Sequence, residues 1–136
     1  MRIAIDTNRY RDFTKGLPEA VQRFRAAEQI CVPFAVLAEL RAGFLAGALA
    51  PRGRASTAGA QNAKVLTAFL NRPRVRILWP DEETTHQYAR LWNQLRSQGT
   101  PIPTNDLWIA ALTIQHDLLL YTRDAHFDKL PQIARG

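Results

Sequence analysis

Four acidic residues stand where an α/β protein keeps its chemistry. Asp6 follows the apolar run "RIAI" directly, and Glu39 lies about one helical turn beyond "ICVP". Asp106 falls in the first turn of "TNDLWIAAL", and Asp124 comes two residues after Thr122, just past "LLLY". In open α/β sheets, ligands gather beyond the carboxyl ends of the strands. Three of the acids also have a plain structural reading. Asp6 is good N-cap and turn chemistry, Asp106 favours a helix dipole, and Asp124 suits a turn. Glu39 is harder to explain that way. Positions 35, 39, 42, 43 and 46 share one helix face and read Ala, Glu, Ala, Gly, Ala, so a single carboxylate stands among small side chains. Four carboxylates brought within ~5 Å would repel by about 3 kcal/mol per pair at an effective dielectric near 20. A fold keeps such a group only if a cation or protons resolve it. Hard oxygen donors without a Cys or His pattern suit Mg²⁺ or Mn²⁺, and that pairing suits phosphoryl chemistry by an activated water.

The elements that must position these acids can be read from pattern. "RIAI", "ICV", "VRILW" and "LLLYT" read as four short strands. Helices are expected over "LPEAVQRFRAAEQ", "PFAVLAELRAGFLAGAL", a segment running through Val65, Leu66 and Phe69, "DEETTHQYARLWNQLRSQG" and "TNDLWIAALTIQ". "DTNRYRDFTKG" reads as a short helix or turn ended by Gly16, and "RDAHFDKL" as a turn with a short helical piece. "APRGRASTAGA" reads as a loop, with Ser56 or Thr57 capping the helix after it. With Asp6 reserved for the site, the cap of the first helix would pass to Thr7 or Asn8. Strands alternating with helices predict a parallel sheet covered on both faces.

The 136 residues are expected to form a single domain, with a net charge of +6 carried mostly by arginine. That balance is compatible with a polyanionic partner such as nucleic acid. No apolar run is long enough to span a bilayer, and "RIAI" is too short for a signal core, so a cytoplasmic protein is expected. The lone Cys31 excludes an internal disulfide and, within "ICVPF", is expected to be buried and inert. His86, His116 and His126 are scattered without carboxylates at metal-ligand spacing and read as surface or partly packed. Trp79, Trp92 and Trp108 lie in apolar patterns and read as core or interface. An aspartate-nucleophile phosphotransferase would want a second Asp where Asn8 stands. A non-catalytic nucleic-acid or protein-binding module is the main alternative. Unused acids facing phosphates would disfavour it.

"IDTN", "AELRAG", "TNDLWIAA" and "LLLYTRDAHFDKLP", in this order, resemble the PIN-domain ribonucleases, and among them the VapC-type toxins of toxin–antitoxin modules. The resemblance runs from residue 3 to about residue 131. It implies a three-layer α/β/α sandwich with a short central parallel sheet and a Mg²⁺- or Mn²⁺-dependent endoribonuclease. Asp6, Glu39, Asp106 and Asp124 would be both the catalytic and the metal-binding quartet, supported by Asn8, Thr122 and Asn105. It further implies an RNA substrate, a homodimer, a VapB-type antitoxin, and operator DNA bound only through the antitoxin complex. One departure is Arg9-Tyr10-Arg11, where relatives carry aliphatic residues. Together with Arg123 it reads as an RNA-contacting rim. The Phe- and Ala-rich second helix and "AKVLTAFL" would offer the partner groove.

Overall fold

The computed structural model describes the backbone of residues 1–48 and 53–136 and the side chains of 1–47 and 58–136. Four strands, β1 (Arg2–Ile5), β2 (Gln29–Pro33), β3 (Val75–Leu78) and β4 (Leu119–Tyr121), form one parallel sheet in the order β3-β2-β1-β4. The register sets Ile3 beside Ile30 and Leu119, and Ala4 beside Cys31 and Leu120. Consecutive residues Ile3, Ala4 and Ile5 are all fully buried, and Cys31 and Val32 nearly so. A strand buried on successive residues is covered on both faces. Among the described residues, six helices provide that cover: α1 (Thr7–Thr14), α2 (Pro18–Ala26), α3 (Phe34–Ala48), α4 (Gly53–Leu70), α5 (Glu82–Gln98) and α6 (Thr104–Gln115). The expected α/β/α sandwich is what forms.

The strand order determines where a ligand can sit. From β1 the chain moves outward through β2 to β3, then returns to lay β4 on the other side of β1. The crevice between the carboxyl ends of β1 and β4 is the topological switch point, where such sheets bind ligands. Asp6 and Thr122 immediately follow those two strands.

Local chemistry explains the element ends. Asp81 and Thr84 form a capping box at the start of α5, and Gly99 ends it in the left-handed region at φ 71°. A 3₁₀ turn, Ala125–Lys129, follows β4 and is capped by Asp124. Two expectations change. The stretch read as a loop over 50–60 is helical from Gly53, because the Ala-rich segment packs along α3 and that contact outweighs its glycines. Residues 49–52 and the side chains of Ser56 and Thr57 lie outside the described residues, and α4 starts before either candidate cap. β3 stops at Leu78, leaving Trp79 64% exposed, and Trp92 on α5 is 42% exposed, so neither is core. Trp108 is half-buried against Tyr88 and Phe34, at centroid distances of 4.3 and 5.8 Å. Cys31 is buried, as expected. No helix among the described residues is long and apolar enough to cross a membrane.

Candidate active site

Four chain segments deliver carboxylates to one small cleft at the switch point. It is lined by Asp6, Thr7, Asn8, Arg11, Glu39, Asp106, Ile109 and Asp124 and encloses about 90 Å³. That is the liquid volume of roughly three waters. An ion with part of its hydration shell fits inside; a nucleotide does not.

Asp6 is the best-held member. It has left β1 but not yet entered α1, and it serves as site residue and helix cap at once. Its Oδ1 accepts the Arg9 backbone N–H at 2.9 Å, and its Oδ2 accepts the Thr122 hydroxyl across the switch point. The cap therefore does not pass to Thr7 or Asn8. One carboxylate has two oxygens, and each can do a separate job. The Thr122 hydroxyl in turn accepts the Asp124 N–H at 3.0 Å, so the two strand ends are linked through it. Burial pushes the Asp6 carboxyl above its ordinary range, and the Asp124 charge adds to this against the opposing Thr122 and Arg9 hydrogen bonds.

Glu39 and Asp106 approach from α3 and α6. Burial raises the proton affinity of both, and neighbouring acids add to it: Asp106 and Asp6 act on Glu39, and Asp124 and Asp6 act on Asp106. Thr7 and Arg11 oppose the shift at Glu39, and His126 opposes it at Asp106. These mutual effects mark carboxylates gathered beside one another and only partly offset by Arg11 and His126. The donor set is hard oxygen throughout. Thr7 also lines the cleft, its buried hydroxyl beside Glu39. Carboxylate oxygens converging on a cleft of this size fit a hydrated divalent cation, which Asp6, Glu39, Asp106 and Asp124 could hold.

The structure relocates several other residues. Asn8 lines the cleft and is exposed to solvent, whereas Asn105 is exposed on the first turn of α6 and is not among the lining residues. Of Arg9-Tyr10-Arg11, only Arg11 faces the site. Tyr10 is buried edge-on to Phe69 at 5.3 Å. Arg9 turns inward, its guanidinium 4.1 Å above the Tyr121 ring and its side chain 13% exposed. Arg123 folds away from the cleft onto Asp12. Its Nε and Nη2 donate to the two Asp12 oxygens at 3.1 and 3.0 Å. Arg9 adds a longer contact to Asp12 at 3.4 Å, and the Arg123 hydrogen bond leads in lowering the Asp12 carboxyl.

Asp12 and His126 went unseen in the sequence. Asp12 ties the second turn of α1 to the residue between Thr122 and Asp124, while Asp6 ties the start of α1 to the same segment. Nothing local signals that pairing across 111 positions. His126 is brought in by a local device. Asp124 Oδ1 accepts the His126 N–H at 2.9 Å, and this turn sets the imidazole Nδ1 2.7 Å from Asp106 Oδ2 and 3.2 Å from Asp124 Oδ1. "DAH" after a strand was the available clue. His126, read as surface or partly packed without carboxylates at metal-ligand spacing, is partly packed, and the fold brings two carboxylates to it.

The PIN domain family matches residues 3–133. The chain belongs to the PIN-domain family. Its similarity to particular members is partial in sequence and complete in fold. It is 39% identical over 51 residues to ribonuclease VapC1 of Haemophilus influenzae strain R2866, covering 38% of each chain. It is 30% identical over 71 residues to ribonuclease VapC4 of Mycobacterium tuberculosis, covering 52% of this chain and 55% of that one. The matches thus span between about a third and just over half of these curated relatives. The structure of VapBC-1 from nontypeable Haemophilus influenzae superposes with a TM-score of 0.80 at 25% identity, over 100% of this chain and 97% of that one. VapBC2 from Rickettsia felis, bound to a promoter DNA fragment, gives 0.80 at 24%, over 100% and 98%, and shows the shared fold.

Proposed function

We propose that this PIN domain is a Mg²⁺- or Mn²⁺-dependent endoribonuclease and the toxin half of a toxin–antitoxin pair. One observation carries the reading. Asp6, Glu39, Asp106 and Asp124, up to 118 positions apart in sequence, converge on one cleft at the switch point of the sheet. A purely structural role does not require four acids there, because each raises the cost of ionising the others.

A bound divalent cation would supply charge neutralisation at the phosphate and a more acidic water. The rest falls to the protein. Asp6 is immobilised by two hydrogen bonds, so its charge points into the cleft without reorganisation. Glu39, whose burial raises its proton affinity, is suited to accept at its carboxylate the proton released as water adds to phosphorus. The P–O3′ bond then breaks, the departing O3′ takes a proton from solvent, and a 5′-phosphate and a 3′-hydroxyl are left. The cleft is too small for a nucleotide, so the RNA backbone must pass over its mouth, where Arg11 is the nearest cation lining it. The net charge of +6 favours that approach.

The partner proposals rest on the relatives. VapBC-5 from Mycobacterium tuberculosis, a structural neighbour, belongs by its printed name to the VapBC family of toxin–antitoxin systems. An apolar groove between α3 and α4, about 310 Å³ and lined by Phe44, Leu45, Ala60 and Ala63, would receive a segment of a VapB-type antitoxin. Leu45 there is 59% exposed. A homodimer, an intracellular site of action, and operator contact through the antitoxin complex belong to the same proposal.

The test is inducible expression of this chain beside its Asp6→Asn variant, with purified protein assayed on total RNA. Growth arrest and RNA cleavage by the wild type, both lost in the variant, are expected. Equal toxicity with intact RNA would refute the nuclease reading.

A further inference from the structure

We propose that His126 is a nitrogen ligand of the metal centre, and that it makes the site select a first-row transition ion over Mg²⁺. This rests on the reading of the cleft as a divalent metal site. It goes beyond that reading by adding a fifth residue and naming the class of ion.

The argument is geometric. Asp106, Asp124 and His126 each present one donor atom, and the three atoms lie within 4.8 Å of one another. His126 Nδ1 is 2.7 Å from Asp106 Oδ2 and 3.2 Å from Asp124 Oδ1. Two adjacent ligands of an octahedral ion with bonds near 2.1 Å stand about 3 Å apart. The observed separations bracket that value, so an ion can take all three donors with little movement. The imidazole is also held in place. The Asp124 turn fixes its backbone, and among the described residues no other side chain bonds to the ring. In the metal-free site Nδ1–H donates to Asp106 Oδ2; with an ion bound the proton would sit on Nε2, and Nδ1, already directed at the cluster, would offer its lone pair.

A nitrogen donor changes the ion preference. Mg²⁺ prefers oxygen ligands and gives up its waters reluctantly, so an imidazole gains it little. Mn²⁺ and the ions after it in the first transition row accept imidazole with increasing affinity. An all-carboxylate quartet would leave Mg²⁺ and Mn²⁺ close in preference. One nitrogen in the ligand set separates them.

The competing role for His126 is that of a cationic neighbour, shielding Asp106 and Asp124 until the metal displaces it. The two roles give opposite results in one experiment. The full-length protein and its His126→Ala, Asp106→Asn and Asp124→Asn variants are titrated with MnCl₂ and MgCl₂ by calorimetry. The Mn²⁺ complexes are then examined by pulsed electron paramagnetic resonance for coupling to a directly bound ¹⁴N, and circular dichroism confirms folding. The wild type is expected to show ¹⁴N coupling and to bind Mn²⁺ at least about tenfold more tightly than Mg²⁺. His126→Ala should lose the coupling, weaken Mn²⁺ about tenfold or more, and change Mg²⁺ binding less than threefold. Stoichiometric Mn²⁺ binding by the wild type without ¹⁴N coupling overturns the ligand assignment and leaves the metal site standing. So does equal or tighter binding of both ions by His126→Ala. Absence of binding by the wild type, or binding that neither Asp variant changes, overturns the metal site itself and this inference with it.

Discussion

Neutralising one acid of the cleft should stabilise the metal-free protein and abolish its response to metal. Asp106→Asn is the cleanest perturbation. It keeps the shape, and an amide can still hydrogen-bond to His126 Nδ1 in either orientation. The donor oxygens of Asp106 and Asp124 lie within 4.8 Å. At that separation two unit charges repel by about 0.9 kcal/mol in bulk water and about 3.5 kcal/mol at an effective dielectric of 20. The side chains of Asp106 and Asp124 are 15% and 28% exposed, so the lower half of that range applies. Loss of the charge-assisted contact with His126 takes back part of the gain. The net gain should be about 1 kcal/mol, or ~3 °C in Tm for a chain of this length. Wild type held at one hundred times its metal Kd should gain about 2.7 kcal/mol, roughly 9 °C, and the variant little or nothing. The pH dependence follows from the direction of the shift. Burial raises the Asp106 carboxyl above its ordinary value of 3.8 in the folded state. Well below that value the group is protonated in folded and unfolded chains alike, and the substitution should be neutral. The advantage of the variant should then grow as pH rises through the raised folded value. Circular dichroism melts in chelator and in MnCl₂, at pH 3 and pH 7, measure all three effects. If metal-free Asp106→Asn melts at or below the wild type at pH 7, or retains the full metal shift, the carboxylates are not coupled as argued.

Four further outcomes are expected. Asp12→Ala should cost about 1–2 kcal/mol in urea denaturation, because it removes the buried carboxylate shared by Arg9 and Arg123; Arg9 keeps Glu19 at 3.6 Å and the Tyr121 ring, and Arg123 is 55% exposed, which holds the loss below that of a fully buried pair. The same variant should weaken Mn²⁺ binding in calorimetry, since Arg123 lies between Thr122 and Asp124, and unchanged binding would show that the Asp12 fork does not position the cleft. Gly99→Ala should lower stability by about 1 kcal/mol in thermal melts, because φ is 71° there and a Cβ resists that conformation although nothing crowds it. Cys31 is buried, and burial raises its thiol, so a thiol reagent should label the native protein only at the rate at which it opens and should label the unfolded chain at once.

Much of this protein was legible in one dimension. The four strands, the acid-led helix that starts after Pro80, the glycine stops at Gly16 and Gly99, and the polar residues just beyond apolar runs are all encoded within a few residues. Such features arise from backbone sterics and hydrogen bonds that reach only one turn. Asp6, Glu39, Asp106 and Asp124 could be nominated because each lies close to a strand or helix end that its own neighbours specify. The helical start of α4 was missed because a Gly- and Ala-rich segment has little local preference and takes its structure from packing against α3. What only the tertiary structure decided was which side chains meet. Thr122 reaches Asp6 across 116 positions, Arg123 turns to Asp12 rather than to the cleft, and Arg9 folds over Tyr121 rather than toward the cleft mouth. His126 meets Asp106 because α6 carries that carboxylate to the turn that holds the imidazole. A side chain's local sequence sets its backbone and chemistry, but its partner depends on the direction it takes from the folded sheet. That direction follows from the strand order β3-β2-β1-β4, a property of the whole chain that no short stretch contains.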